Sequence, residues 1–177
     1  MAHSGKHETD GPPSGWVKRF ADRLPAGGAV LDLACGGGRH GRLFLEAGHP
    51  VTFVDADTAA LGDLADHPAA TIIQADLESG APWPLGDRQF GGVVVTNYLW
   101  RPILPDIIHA VAPGGILIYE TFAEGNEAFG RPRNPDFLLR RGELLEAVRG
   151  KLTVIAYGQC VQENRRVVQH IAAVRAA

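Results

Sequence analysis

The sequence predicts an α/β protein with a doubly wound, seven-stranded, mostly parallel sheet that closes in a C-terminal antiparallel hairpin. Three observations predict it. Short apolar runs alternate with amphipathic stretches, the pattern of strands joined by helical crossovers. A glycine-rich turn follows the first of those runs. The last two runs lie too close together for a crossover, so they pair antiparallel. The 177 residues suit one core, with 45% apolar and 21% charged residues as in an ordinary globular chain. The expected organisation is a disordered, Gly-, Pro- and Ser-containing segment over 1–15 and one domain over 16–177.

The elements follow in order. Trp16 to Leu24 places Trp16, Phe20 and Leu24 at four-residue spacing, an amphipathic helix for which Ser14 is the candidate cap. Pro25-Ala26-Gly27-Gly28 breaks the chain. Ala29 to Ala34 is a buried strand, Gly36 to Gly38 a turn, and Arg39 to Ala47 a helix stopped by Gly48. Val51 to Val54 is the second strand, Thr58 to Ala65 a helix capped by Asp57 or Thr58, and Thr71 to Ala75 the third strand. The proline-bearing stretch from Ser79 to Gln89 is a loop. Phe90 to Thr96 is the fourth strand, Pro102 to Val111 a helix ended by Pro113-Gly114-Gly115, and Ile116 to Thr121 the fifth strand. After an irregular stretch to about Arg141, Gly142 to Arg149 is helical. Leu152 to Tyr157 and Val167 to Val174 form the hairpin.

A net charge of −3 argues against a dedicated nucleic-acid binder, so no nucleic-acid partner is expected. Two cysteines, Cys35 and Cys160, make no disulfide framework and fit a reducing, cytoplasmic compartment. No apolar run approaches a membrane span, and the seven histidines show no metal-ligand spacing.

The sharpest local pattern is VLDLACGGGRHG, Val30 to Gly41. Gly36, Gly38 and Gly41 satisfy G-x-G-x-x-G between a strand and a helix, where backbone amides meet a ligand. Asp55 follows Gly36 by 19 residues at the end of the next strand, where its carboxylate can accept from both hydroxyls of a ribose. That pair fits a nicotinamide dinucleotide as well as S-adenosylmethionine. Charge separates them. Asp32, four residues before Gly36, would repel a pyrophosphate and stabilise an ammonium or sulfonium. Asp32 also fits a strand-end residue that bonds the turn backbone, and the two roles are compatible. Asp76 ends the third strand beside Leu77, placed for the amino group and face of an adenine. Three successive strands thus end in a carboxylate, on the edge where open α/β sheets bind ligands.

On these residues the chain resembles the class I S-adenosylmethionine-dependent methyltransferases, from about Trp16 to the C-terminus. VLDLACGGG is similar to their first motif, with Ala34 where glycine is commoner, VDAD to the second, QADLE to the third, VVVTNYL to the fourth and PGGILIYE to the segment around the fifth strand. The resemblance implies S-adenosyl-L-methionine as cofactor. It places Asp32 at the methionine end, Asp55 at the ribose and Asp76 at the adenine, with Ala34, Cys35, Gly36, Gly38, Ala56, Leu77, Asn97 and Tyr98 completing the cofactor set. The implied fold is the Rossmann-like methyltransferase fold, and the implied activity is methyl transfer to an acceptor.

Methyl transfer from a sulfonium needs placement first, and a base only where the nucleophile must lose a proton. Tyr98 and Arg101, after the fourth strand, are the catalytic candidates; loop packing explains Tyr98 equally, and Arg101 is also the candidate partner of an anionic acceptor. Glu120 to Arg140 is long for a connection, which favours a functional loop. Phe122, Asn126, Phe129, Arg131, Arg133 and Asn134 are expected to line a lid over a small, anionic acceptor; a solvated loop is the alternative. This stretch loosely resembles that of small bacterial methyltransferases of the tellurite-resistance type. Trp16 and Phe20 read as cofactor cover or core, His40 as a contact to the methionine carboxylate or a plain helix-start residue, and Cys35 as a reactive thiol or a small buried side chain. Two further classes stand beside the methyltransferase: a non-catalytic S-adenosylmethionine-binding module, and a nicotinamide-dependent oxidoreductase.

Overall fold

Runs of valine, isoleucine and leucine buried on both sides dictate strands covered on both faces. β1 (Val30–Leu33), β2 (Val51–Asp55) and β4 (Phe90–Thr96) are such runs. With β3 (Ala70–Gln74), β5 (Val111–Phe122), β6 (Thr153–Val161) and β7 (Val167–Val174) they form one seven-stranded sheet of order β3-β2-β1-β4-β5-β7-β6. The pairs from β3 across to β5 are parallel, and β5–β7 and β7–β6 are antiparallel. This is the Rossmann-like sheet that the sequence predicts. The computed structural model describes residues 11–163 and 165–177.

Strand alternation sorts the core into two layers. Leu31, Leu33, Val93, Val95, Leu117 and Tyr119 face α3 (Leu104–His109) and α4 (Glu143–Val148). Val30, Phe53, Val94, Ile116 and Ile118 face α1 (Gly15–Phe20) and α2 (Arg39–Glu46). Burying each such large side chain contributes about 1.5–3 kcal/mol. The chain leaves β1 for β2 and β3 on one side, then returns to β4 and β5 on the other. The strand order therefore reverses between β1 and β4, which opens a crevice at their C-terminal ends.

Several local expectations change. Thr58 to Ala65 is not an α-helix but a 3₁₀ segment, Ala59–Leu64. Gly62 weakens it, and six residues are too few to repay helix nucleation. The Pro102 helix starts as a 3₁₀ turn, Arg101–Ile103, and ends at His109. β5 then begins at Val111 and absorbs Pro113-Gly114-Gly115 through an irregularity opposite Phe90 and Gly92. β6 runs on to Val161, so the hairpin turn is shorter than the sequence suggests. The first ten residues of the expected disordered segment lie outside the described residues. Beyond them Ser14 is anchored, capping α1 by accepting from Trp16 N–H at 3.1 Å and Val17 N–H at 3.4 Å. No described helix is long and apolar enough to cross a membrane.

Candidate cofactor and acceptor site

The turn after β1 is built on left-handed backbone. Ala34, Gly36 and Gly38 have φ of 51°, 54° and 74°. Glycine takes these values freely, whereas alanine does so at a cost of about 1–2 kcal/mol. The turn is held by neighbouring strand ends. Cys35 N–H donates to Val54 O at 3.1 Å, and Gly36 N–H donates to Asp55 Oδ2 at 2.8 Å. Asp55 Oδ1 accepts from Asp57 N–H at 3.0 Å, and Asp57 accepts in turn from Ala59 N–H.

Asp32 is 1% exposed, and its Oδ2 accepts from Gly41 N–H at 2.7 Å inside the first turn of α2. A Cβ on Gly41 would stand 2.1 Å from the Phe53 ring, so only glycine lets α2 lie this close to β2. Burial pushes the Asp32 carboxyl up to about 7, helped by the negative charge of Asp55 and opposed by the Gly41 bond. A buried carboxylate without a cationic partner is costly, and a cation placed beside it would remove that cost.

The other cofactor candidates gather on the same edge. Asp76, beyond β3, is exposed and accepts from Glu78 N–H at 2.9 Å in a tight turn, with Leu77 half-buried beside it. Ala56 O accepts from Gln74 Nε2 at 3.0 Å. Asn97 leaves β4 at φ 53° with its N–H on Glu120 O at 2.9 Å. The Tyr98 hydroxyl is buried without a hydrogen-bond partner among the described residues. Burial, then the negative charges of Glu78, Asp76 and Asp55, keep its proton on. Tyr98 therefore faces the strand ends of β2 and β3 as a hydroxyl donor, not as a base. Cys35 is buried, and desolvation with the charges of Asp32 and Asp55 pushes its thiol up, so it is the inert small residue and not the reactive one.

The acceptor candidates fall differently. Arg101 does not turn to the crevice. Its guanidinium grips Glu143 with Nε–Oε1 at 2.6 Å and Nη2–Oε2 at 2.9 Å, and it donates to Asp136 O and Leu138 O. Two of these four bonds go to Glu143 at the start of α4 and two to carbonyls of the 120–140 stretch, which makes Arg101 a tie between loop and helix. Asn126 is 1% exposed, donating to Pro132 O at 3.1 Å and accepting from Val167 N–H at 3.1 Å. Phe122 is buried, with the Arg166 guanidinium 5.7 Å above its ring. Phe129 is exposed under Arg165 at 5.4 Å, and Arg131 and Arg133 are exposed. Asn134 accepts from Asp136 N–H at 3.0 Å. The stretch between β5 and α4 is thus pinned to β7 through Asn126 and to α4 through Arg101, with Arg131 and Arg133 exposed on it.

A cleft of about 510 Å³ opens instead beside the crevice, between the approach to α1 and the edge of β5 and β7. Ser14, Trp16, Arg39, Glu120, Arg166 and His170 line it. His40 braces its Ser14 wall. Nε2 accepts from Ser14 N–H at 3.1 Å, so Nδ1 carries the proton and donates to Thr96 Oγ1 at 3.2 Å. Burial, with the nearby Arg39 charge, lowers His40 to about 4, so this ring is a neutral strut and not a carboxylate contact. Trp16 donates from Nε1 to Ile171 O at 3.1 Å, and Phe20 belongs to the core. Sequence reasoning did not find Glu120, Ser14 or His170. The available signal was a lone carboxylate and a lone imidazole, each inside an apolar strand.

Residues 30–115 match the family model described as a methyltransferase domain. No curated protein sequence matches the chain. Among solved structures, TehB from Haemophilus influenzae has a TM-score of 0.70 at 20% identity, over 93% of this chain and 63% of that one. A TehB-like SAM-dependent methyltransferase from Corynebacterium glutamicum has 0.66 at 20% identity, over 94% and 90%. The glycopeptide N-methyltransferase MtfA with S-adenosyl-L-homocysteine has 0.60 at 23% identity, over 94% and 91%. The structural likenesses carry the fold. The family match spans the glycine turn and the carboxylates of Asp32, Asp55 and Asp76. The methyltransferase-domain match and the shared fold together support an S-adenosylmethionine-dependent methyltransferase.

Proposed function

We propose that this methyltransferase acts on a small, anionic acceptor seated in the cleft beside the glycine turn. The supporting observation is the cleft itself: about 510 Å³, small-molecule size, with the Arg39 and Arg166 guanidiniums in its lining. The residues present suit the cofactor. Asp55, Asp76 and the unpartnered Tyr98 hydroxyl would hold the adenosine end, and Asp32 the positively charged methionine end. Bound S-adenosylmethionine supplies an activated methyl group and leaves as a neutral thioether. The protein's part is placement: the glycine turn and strand ends fix one partner, and the cleft fixes the other.

Titration calorimetry with S-adenosylhomocysteine and NAD tests the cofactor, and labelled-methyl turnover tests the acceptor. Thiols, phenols, amines and metalloid oxyanions are compared in anionic and neutral versions. Preference for the anionic versions is expected. Turnover confined to neutral or macromolecular acceptors would overturn the reading.

A further inference from the structure

We infer that His170, oriented by Glu120, takes the proton from the acceptor's nucleophile, so that the acceptor is a small acid whose attacking O–H or N–H enters still protonated. The inference rests on the cleft being the acceptor site. Strand pairing puts Thr96, Glu120, His170 and Gly158 in one row across β4, β5, β7 and β6. Residues paired in register project to the same face. Here that face is the one covered by α1, and the row lies at the edge where the crevice opens.

Each member of the row has a defined setting. Glu120 is 6% exposed, with Oε1 accepting from Ser14 Oγ at 2.8 Å and Oε2 from Gln162 Nε2 at 3.2 Å. Burial alone would push its carboxyl up. The bond from Ser14 and the attraction of the nearby His170 and Arg166 outweigh that, and Glu120 is held below the usual range, an anion inside the fold. His170 Nδ1 lies 3.5 Å from Glu120 Oε2, buried and without a hydrogen-bond partner among the described residues. A proton on Nδ1 pointing at that carboxylate leaves the Nε2 lone pair as the accepting one. Nε2 lies over Gly158, where a Cβ would stand 2.7 Å away. Glycine on the neighbouring strand thus keeps the space beside this nitrogen free of a side chain.

Trp16 stacks on the imidazole at 3.9 Å and 16°, which fixes the ring plane. The charged groups around it are Glu120 from β5, Arg166 from the hairpin and Arg39 across the cleft. A base held by a buried carboxylate and open on its second nitrogen is the arrangement general-base catalysis needs. The step balances. The X–H pair stays on X and its proton goes to Nε2. The X–CH₃ bond forms as the C–S pair stays on sulfur, and the imidazolium then returns its proton to water.

The test uses the full chain saturated with S-adenosylhomocysteine, with salicylate as an anionic phenol probe. Salicylate is expected to shift the NMR signals of the His170 ring and the Trp16 indole N–H. Gly158→Val should suppress those shifts and leave S-adenosylhomocysteine affinity within about twofold. In turnover, His170→Ala should lower kcat by roughly 10²–10⁴ for protonated phenol or amine acceptors. Acceptors that are already ionised should lose far less, and added imidazole should restore part of the rate. A purely structural His170 would move all acceptors together and ignore imidazole, which overturns the inference, as does a silent His170 and Trp16 on adding salicylate. Wild-type protein that fails to bind S-adenosylhomocysteine would instead strike the methyltransferase reading beneath it.

Discussion

Asp32→Asn removes one buried charge and keeps an oxygen for the Gly41 N–H, so it isolates what ionising Asp32 costs the fold. In the folded chain this carboxyl is raised from 3.8 to about 7. Below 3.8 both folded and unfolded chains hold the proton, and the shift has no effect. Between 3.8 and 7 the unfolded chain gives up its proton while the folded chain keeps it, so stability falls as pH rises, by about 1.4 kcal/mol per unit. Above 7 both are ionised and the full loss of about 4 kcal/mol remains. Glu120 and Glu143 act in the opposite sense, being held below 4.5 and losing their contribution as pH falls. They titrate in both proteins and cancel in the difference. Urea unfolding of the two proteins from pH 5 to 8.5 should therefore show the variant gaining on the wild type by about 3 kcal/mol across that window. The variant should also bind S-adenosylmethionine more weakly at pH 8, because the charge that strains the fold is the one proposed to meet the methionine end. A stability difference that stays flat with pH would refute the reasoning.

Other substitutions probe neighbouring elements. Ala34→Gly relieves a φ of 51° and should raise stability by about 1 kcal/mol, read as a higher urea midpoint with unchanged slope. Asp55→Ala leaves Gly36 N–H unheld and removes the proposed ribose partner; calorimetry should show S-adenosylmethionine binding weakened by roughly 1–3 kcal/mol, and unchanged affinity would reject the contact. Arg101→Ala removes two hydrogen bonds from the buried Glu143 and leaves it those of Arg140, and should cost about 2 kcal/mol. Hydrogen exchange should quicken around 135–139 while S-adenosylhomocysteine affinity holds; weakened cofactor binding would show that Arg101 also serves the crevice.

What could be read from the chain follows from the range of the interactions involved. Strand identity is a local property: Val93, Val94 and Val95 are buried whichever strands flank them, so β4 was legible to the residue. The glycine turn was legible because its left-handed backbone restricts residue type at single positions. Asp32 and Asp55 were legible because spacing alone carries them to one edge. Arg101 was not, since a guanidinium five residues beyond β4 reads the same whether it meets a ligand or Glu143, and the 42 residues separating that pair hold no period that joins them. The row through Glu120 and His170 was hidden for a stronger reason. Register between β5 and β7 depends on where an antiparallel pair locks, and a slip of one residue would send His170 to the opposite face. A carboxylate and an imidazole, each lone in its own strand, become one device only once that pairing is fixed. The proposed cofactor edge lies in consecutive βα units and is written locally, whereas the proposed acceptor side is assembled from α1, β5 and the closing hairpin, and so depends on the finished sheet.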